Sequence, residues 1–432
     1  MSREWPQATA SVCPVCLKRI PAQRVRTGDA VFLRKACEAH GSFESVLWRG
    51  HVDVDDWTGP RAEPPPGNPR CPTECGLCPD HLQESCCVLL EVTGRCNLAC
   101  RFCFAAGDRG EEPTLAWLKT ALRQLAQPGQ TLVQLSGGEP ILRDDLPEVV
   151  AAAREAGCRY VQLNSNGIRL AEDPGYMREL AEAGLSFVFM QFDGTEDDIA
   201  VRLRGRPLLA LKQRAIEHCA AQNVGVTLVP TLVPGVNTDS IGEILRFAVA
   251  RAPAVRGVHF QPVSYFGRMP AVPTDGMRFT LDELLAAIGV QAGEVIDAGH
   301  LRPSRCDHPL CGFHGDFVVA PAGGRLIPLT PRRSAECGCG GGPVTAERNR
   351  EFVGRRWQRP SPAGGDIAGG DLRDMGVFLR RVETHGFTVT AMAFQDAGNL
   401  DLERLRRCSL HVFDQGRRVP FCAHYLSAWG SR

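Results

Sequence analysis

Between residues 88 and 265 the apolar positions follow two alternating rhythms. The stretches "VLLEVT" (88–93), "TLVQLSG" (131–137), "YVQLNSNG" (160–167), "SFVFMQFDG" (186–194), "VGVTLVPTLV" (224–233) and "GVHFQPVSY" (257–265) are short, apolar and rich in branched or aromatic residues, and read as strands. The intervening "LAWLKTALRQLAQ" (115–127), "LPEVVAAAREAG" (146–157), "YMRELAEAG" (176–184), "LLALKQRAIEHCAAQ" (208–222) and "IGEILRFAVA" (241–250) carry helical spacing. Six such alternations predict an α/β fold of parallel β/α units, a partial (β/α)6 TIM-like barrel rather than the full eight-stranded closure. Ligands of such barrels collect at the C-terminal ends of the strands. The loops that follow these strands are therefore where chemistry is expected.

Outside this span the rhythm fades. Residues 1–60 are partly β-like and hold "CPVC" and "CEAHG"; residues 61–70, "RAEPPPGNPR", read as a stiff linker; residues 71–87 are dense in cysteine. Beyond residue 298 the regularity is lost and cysteines return in "CDHPLCGFHG", "CGCGGGP" and "CSLHVFDQGRRVPFCAHY". The expected organisation is an N-terminal metal-binding domain of zinc-ribbon or rubredoxin-like type (1–60), a linker with an auxiliary-cluster segment (61–87), the barrel (88–297) and a C-terminal auxiliary-cluster domain (298–432).

Charge removes some classes of partner. The 49 basic and 49 acidic residues cancel, so no global field favours nucleic acid or an anionic membrane, and no nucleic-acid partner is expected. The 45 arginines against four lysines are read as genome composition, not function. "MSREWPQATA" lacks the apolar core of a secretory signal, and no apolar run is long enough for a bilayer. A cytoplasmic location follows as the expectation, with peripheral membrane attachment left open. In a reducing compartment 19 cysteines are poor disulfide candidates, and their clustering favours metal.

The most informative cluster is "CNLACRFCFA", where Cys96, Cys100 and Cys103 follow the first strand as C-x3-C-x2-C. Three thiolates on one loop can bind three irons of a [4Fe–4S] cluster and leave the fourth open to a small chelating molecule. A disulfide with a spare thiol, or a zinc site completed elsewhere, are the alternatives. The loop resembles the signature of the radical S-adenosylmethionine (radical SAM) superfamily, with Phe102 as the aromatic residue before the last cysteine. The resemblance implies that S-adenosylmethionine chelates the open iron and is cleaved reductively to a 5′-deoxyadenosyl radical that abstracts hydrogen from unactivated carbon.

Three further stretches support the resemblance. "SGGEP" (136–140) ends the second strand, and in the family this turn meets the methionine amino group, a role that falls here to Gly137, Gly138 and Glu139. "NSNG" (164–167) ends the third strand, where relatives contact the ribose, which assigns Asn164, Ser165 and Asn166. "QFDG" ends the fourth, bringing Gln191 and Asp193 to the same mouth; Asp193 is equally read as a helix N-cap. Arg204 is a partner for the carboxylate of S-adenosylmethionine or an exposed helix arginine, and Gln261 in "FQPVS" is a pocket residue of the sixth strand.

The remaining cysteines suggest accessory metal. Cys71, Cys75, Cys78 and Cys86 offer four thiolates for an auxiliary [4Fe–4S] cluster, with zinc as the alternative and Cys87 as a spare. Cys13, Cys16, Cys37 and His40 suit one tetrahedral zinc or rubredoxin-like iron, with a distant cysteine in competition with His40 as fourth ligand. Cys158 and Cys219 are read as small buried hydrophobes.

The arrangement is similar to one branch of the superfamily, that of archaeal tetraether lipid synthase, whose relatives have also been described as dihydropterin methyltransferases. The stretches that carry this run from "CPVC…CEAHG" through "CPTECGLCPDH" and "QFDGTEDD…LRGRPLLALK" to "FQPVSYFGR" and "GRRVPFCAHY". The branch implies one or two auxiliary clusters, the C-terminal one held by Cys306, Cys311, Cys408 and Cys422 with Cys337 and Cys339 as competitors. The leading expectation is a radical SAM enzyme that joins lipid tails through a C–C bond, reduced by a donor such as ferredoxin or flavodoxin. The alternative is a methylase or modifier of a pterin-like heterocycle, followed by a peptide modifier. A non-catalytic iron–sulfur carrier is the reading from a different class.

Overall fold

The computed structural model describes residues 5–59, 71–72, 75–104, 112–304, 306–332, 345–360 and 372–429. The linker 61–70, Cys337 and Cys339 lie outside the described residues. The first four strands, β1 (Gln7–Val12), β2 (Arg19–Thr27), β3 (Ala30–Cys37) and β4 (Gly41–Trp48), form an antiparallel sheet in sequence order. A second sheet contains the barrel strands β5 (Cys87–Thr93), β6 (Leu132–Gly137), β7 (Tyr160–Ser165), β8 (Phe187–Gln191), β9 (Gly225–Val229) and β11 (Val255–Pro262), with the short β10 (Thr231–Leu232) between the last two. It continues into β12 (Arg302–Pro303), β13 (Gly312–Val319), β14 (Leu326–Pro328), β15 (Gly386–Met392), β16 (Leu410–Asp414) and β17 (Arg417–Pro420).

The six expected strands are parallel and adjacent in sequence order. Residues 298–432, expected as an appended domain, instead supply strands to this same sheet: β15 pairs parallel with β11 at one edge and β16 pairs parallel with β5 at the other. The chain between them, residues 393–409, therefore crosses from one edge of the arc to the other. Strand content there was hard to read because the connections are long and the two strands are not sequence neighbours of the strands they join.

Each barrel strand is buried on both faces, which explains its near-continuous apolar run. Along β5, Val88, Leu90 and Val92 join the core under the helices, while Leu89 belongs to a separate cluster on the inner face. The same period-2 partition sends Val133 and Leu135 of β6 outward, while Gln134 and Ser136 line the inner cavity. The helix Ala346–Trp357 closes the lower end of the bore. Its Trp357 packs edge-on against Phe187 and Phe189, with ring centroids 5.5 and 4.6 Å apart, and its indole N–H donates to the Thr388 hydroxyl at 2.9 Å.

The N-terminal sheet is fastened to the crossing segment by buried polar contacts. Arg24 pairs with Asp401 at 2.6 Å, and the Lys35 ammonium donates to the Ala397 carbonyl at 2.7 Å. Asp282 accepts the backbone N–H groups of Arg49 and His51, each at 3.0 Å. Buried charge is tolerated only when paired in this way, so the small sheet has one fixed seat beside the C-terminal cysteines.

Candidate functional site

The loops at the C-terminal ends of β5 to β11 converge on one mouth, as expected. The cysteine loop after β5 is tied down from several sides. Cys103 exchanges backbone hydrogen bonds with Arg268 at 3.2 and 3.0 Å, and the Arg268 guanidinium donates to the Cys100 carbonyl at 3.1 Å. Phe102 packs edge-on to Tyr265, with centroids 5.9 Å apart, beside an apolar cluster of Ile199, Leu203, Val233 and Val263. Phe102 thus anchors the loop as well as lining the cavity. Cys96 is exposed, Cys100 and Cys103 are half-buried, and all three thiols lie within electrostatic range of one another; burial first, then the neighbouring carboxylate and thiols, pushes the Cys96 thiol up.

The turn after β6 lies directly on the stem of this loop. Gly138 donates its N–H to the Thr93 carbonyl at 2.8 Å and Glu139 donates to the Arg95 carbonyl at 2.7 Å. A Cβ on Gly138 would meet the Arg95 carbonyl oxygen at 2.1 Å, and one on Gly137 (φ +123°) would meet that of Thr93 at 2.2 Å. Only glycine fits both positions. This close approach seats the turn after β6 on the stem of the cysteine loop, and both glycines line the cavity.

Glu139 has protein partners that the sequence did not show. Its carboxylate is buried and accepts the Ser165 hydroxyl at 2.9 Å, the Asn166 N–H at 2.6 Å and the Ile141 N–H at 3.3 Å. It is engaged with protein donors, fixes the turn after β7 and also lines the cavity. Burial raises its pKa to about 7 against the opposing pull of these donors. Asn166 in turn donates its side-chain amide to Asn97 at 2.7 Å, so the third strand's turn and the cysteine loop are one hydrogen-bonded unit. Asn164 accepts from Gln162 at 2.6 Å and lines the cavity.

Gln191, Asp193 and Arg204 do come together. Arg204 is buried and makes a bidentate pair with Asp193, both contacts at 2.8 Å, and donates to the Thr231 hydroxyl at 3.0 Å. The Gln191 amide oxygen faces the same guanidinium, 2.8 Å from Nη1. Burial opposes the charge on Arg204, but Asp193 and the Cys100 thiol hold its pKa raised. Two alternatives are thereby excluded: Arg204 is not an exposed helix arginine, and the helix that follows is capped at Glu196, not Asp193. Gln261 lines the cavity on β11, one strand away.

Lys212 is a site residue that sequence reading missed. It is buried on the helix Leu209–Ala221 and donates its ammonium to the Asn166 carbonyl. Burial lowers its pKa to about 8. With only four lysines in the chain, a lone lysine on an apolar helix face was a usable signal.

The accessory cysteines sort differently from their order in sequence. Cys13, Cys16, Cys37 and His40 place their ligand atoms all within 4.8 Å. The His40 Nδ1 lies 3.6 Å from the Cys13 sulfur and 3.5 Å from that of Cys37. Tetrahedral zinc with Zn–S of about 2.3 Å and Zn–N of about 2.0 Å separates such ligands by about 3.5 Å. The four residues therefore fit one ion, and His40 completes the set. Cys71, Cys75 and Cys78 form a second group, in which the Cys71 and Cys75 thiols are hydrogen-bonded.

Cys86 has other thiols as its immediate neighbours. Its thiol is within hydrogen-bonding reach of Cys306 and Cys87 and accepts from the Asn349 amide at 3.2 Å. Cys311, Cys408 and Cys422 are near one another, and Cys306 is paired with Cys86. The cause is topological: the Cys86 N–H donates to the Ser409 carbonyl at 2.8 Å while the Ser409 N–H donates to Asp307 at 2.7 Å, drawing 86 and 306 to the start of β16. Cys87, read as a spare, accepts from the Gln134 amide at 3.3 Å and lines the cavity. Cys158 and Cys219 are buried as expected, and burial pushes their thiols up to about 11 and about 12.

One cavity of about 340 Å³ runs from the cysteine loop into the bore, within the range of roughly 300–1,000 Å³ usual for small-molecule sites. It extends to Cys86 and Cys87 at the far end of β5, about 20 Å along the strand at about 3.3 Å per residue. The donor set of three loop thiols fits a [4Fe–4S] cluster with one open iron, beside a cavity with room for its chelating ligand; when bound, the pair supplies a carbon-centred radical.

Comparison with known proteins agrees with this geometry. Residues 90–248 match the Radical SAM superfamily, and residues 5–49 match the HMPTM N-terminal zinc ribbon domain. The chain is 31% identical to a 7,8-dihydro-6-hydroxymethylpterin dimethyltransferase of Methanocaldococcus jannaschii, over 96% of this chain and 92% of that protein. It is 30% identical to a PqqA peptide cyclase of Methylocella silvestris, over 56% of this chain and 65% of that one. Among solved structures, Streptococcus suis SuiB bound to S-adenosylmethionine aligns over 48% of this chain and 47% of its own, with 16% identity and a TM-score of 0.37. The chain belongs to the radical SAM superfamily and is a radical SAM enzyme. Within it, the similarity to the dihydropterin dimethyltransferase spans nearly the whole of both proteins. Among the described residues no helix is long and apolar enough to cross a membrane.

Proposed function

We propose that this enzyme methylates a small polar heterocycle of the dihydropterin class by radical chemistry at carbon. The observation that carries the reading is the similarity to a 7,8-dihydro-6-hydroxymethylpterin dimethyltransferase, which runs through the zinc ribbon, the cysteine-rich segment, the barrel and the C-terminal strands alike. In this reading Cys96, Cys100 and Cys103 hold the cluster, and Gly137, Gly138 and the Asn164–Asn166 turn seat S-adenosylmethionine. Arg204, paired with Asp193 and beside Gln191, supplies a fixed polar wall at the mouth. The cysteine groups at 71–78, at 86 with 306, and at 311, 408 and 422 carry auxiliary iron that passes electrons from a reduced donor of the ferredoxin or flavodoxin type.

A lipid tail is the second reading, and one observation favours it. Much of the cavity wall is apolar, including Leu89, Phe104, Phe266, Phe394, Leu410 and Phe421. Anaerobic turnover with 7,8-dihydro-6-hydroxymethylpterin and, separately, with a long-chain diether lipid decides between them by mass spectrometry. The pterin reading predicts a product heavier by one or two methyl groups; coupled lipid chains with an unchanged pterin would replace it.

A further inference from the structure

His259 occupies a position in the bore that neither the loop chemistry nor the cysteine groups use. It lies on β11 with its ring turned to the inner face, two residues before Gln261 and so deeper than the mouth. Although its neighbours Val258 and Phe260 are fully buried, His259 keeps partial exposure, because one edge of the ring forms cavity wall.

The other edge is fixed. Nδ1 lies 2.8 Å from the Thr390 hydroxyl on the adjacent β15, and that hydroxyl has the Val258 carbonyl oxygen as an acceptor at 3.5 Å. In the arrangement that directs the hydroxyl proton there, Thr390 accepts from Nδ1–H, the ring is the Nδ1–H tautomer and Nε2 keeps its lone pair; this arrangement is the one taken below. Burial lowers the pKa of His259 to about 4, so the ring is neutral at working pH. Among the described residues Nε2 has no hydrogen-bond partner. Beside it stands Phe189, ring centroids 5.5 Å apart at 37°, whose ring also lines the cavity.

A ring nitrogen without a protein partner next to an aromatic face, inside an otherwise largely apolar chamber, matches a flat ring with a polar edge, and in the Nδ1–H tautomer that edge is an N–H. We infer that His259 Nε2 accepts a hydrogen bond from a ring N–H or amino group of the substrate heterocycle while Phe189 stacks on its face, making His259 a specificity-determining residue. This rests on the heterocycle reading above and deepens it: a hydrocarbon tail has no donor to offer and would leave Nε2 desolvated and unpaired, which selects against it.

The test is anaerobic fluorescence titration of the reconstituted full chain with 7,8-dihydro-6-hydroxymethylpterin, with S-adenosylmethionine binding measured in parallel. His259→Phe should weaken pterin binding by about tenfold or more and leave S-adenosylmethionine binding within about twofold. His259→Gln, which keeps an acceptor of similar reach, should recover part of the loss. Thr390→Val leaves the ring intact but frees its tautomer, and should also weaken the pterin alone. Equal pterin affinity in wild type, His259→Phe and Thr390→Val would overturn the anchor while leaving the heterocycle reading standing. No pterin binding by wild type would overturn that reading, and the anchor with it.

Discussion

Glu139, at the turn after β6, accepts the backbone N–H of Asn166, at the turn after β7, at 2.6 Å. Because Asn166 also holds Asn97 of the cysteine loop, this one carboxylate sets the relative position of the cluster loop and the expected ribose turn. Glu139→Gln replaces one acceptor oxygen by a donor facing N–H and O–H groups, and should cost about 1–3 kcal/mol of stability. The variant should also weaken S-adenosylmethionine binding, as read by calorimetry.

The same residue gives a pH dependence of known sign. Its folded pKa, raised by burial to about 7, stands above the ordinary 4.5. Between these values the folded protein holds a proton that the unfolded chain has released, so this group's contribution to stability falls as pH rises from about 4.5 to about 7. Denaturant midpoints across that window should show the trend in wild type and lose this component in Glu139→Gln.

The barrel strands and mouth loops were legible because each strand carries its apolar run immediately before a distinctive turn, as in "TLVQLSGGEP" and "YVQLNSNG". The partners inside the mouth were not. That Glu139 faces Ser165 and that Arg204 faces Asp193 depends on how neighbouring loops fold back, which no spacing along the chain encodes. The nearest neighbours of the cysteines were hidden for a related reason: Cys86 is fifteen residues from Cys71 in sequence, yet β16 brings Cys306 to it from more than two hundred residues away. Strands β15 and β16 were missed because parallel pairing across a long crossover leaves no local signature.

Arg204 and Asp193 form a buried bidentate pair, with side chains 7% and 4% exposed. Removing one partner strands the other charge out of water. Arg204→Ala should lower stability by about 3–5 kcal/mol, and Arg204→Lys should recover part of it, because lysine keeps the charge but not the fork that reaches both oxygens. Thermal melts of the two variants check the order.

Cys86 and Cys306 are neighbours in space, whereas Cys71, Cys75 and Cys78 form another group. Iron analysis after anaerobic reconstitution should therefore show that Cys86→Ala and Cys306→Ala lose the same share of iron and that the double variant loses no more than either. Cys71→Ala should add a separate loss. Additive losses from Cys86→Ala and Cys306→Ala would return Cys86 to the upstream group.

The N-terminal ion and its sheet should behave as one unit. Cys37 and His40 sit at the turn between β3 and β4, and Cys13 and Cys16 at the turn after β1, so the ion ties together the two hairpin turns at one end of the small sheet. Cys37→Ser should lower the bound mononuclear metal by one equivalent and the melting temperature with it, while cluster iron is retained. Zinc would leave this site colourless, and iron would give a thiolate charge-transfer band, so absorption of a chain loaded only at the ribbon identifies the metal.

The central claim is that the loop after β5 supports reductive cleavage of S-adenosylmethionine. The most direct measurement is 5′-deoxyadenosine released by the reconstituted, reduced protein, compared with a variant carrying Cys96→Ala, Cys100→Ala and Cys103→Ala. The account predicts deoxyadenosine from the wild-type chain and none above background from the variant, with the ribbon metal retained in both. Undiminished deoxyadenosine from the triple variant would contradict it.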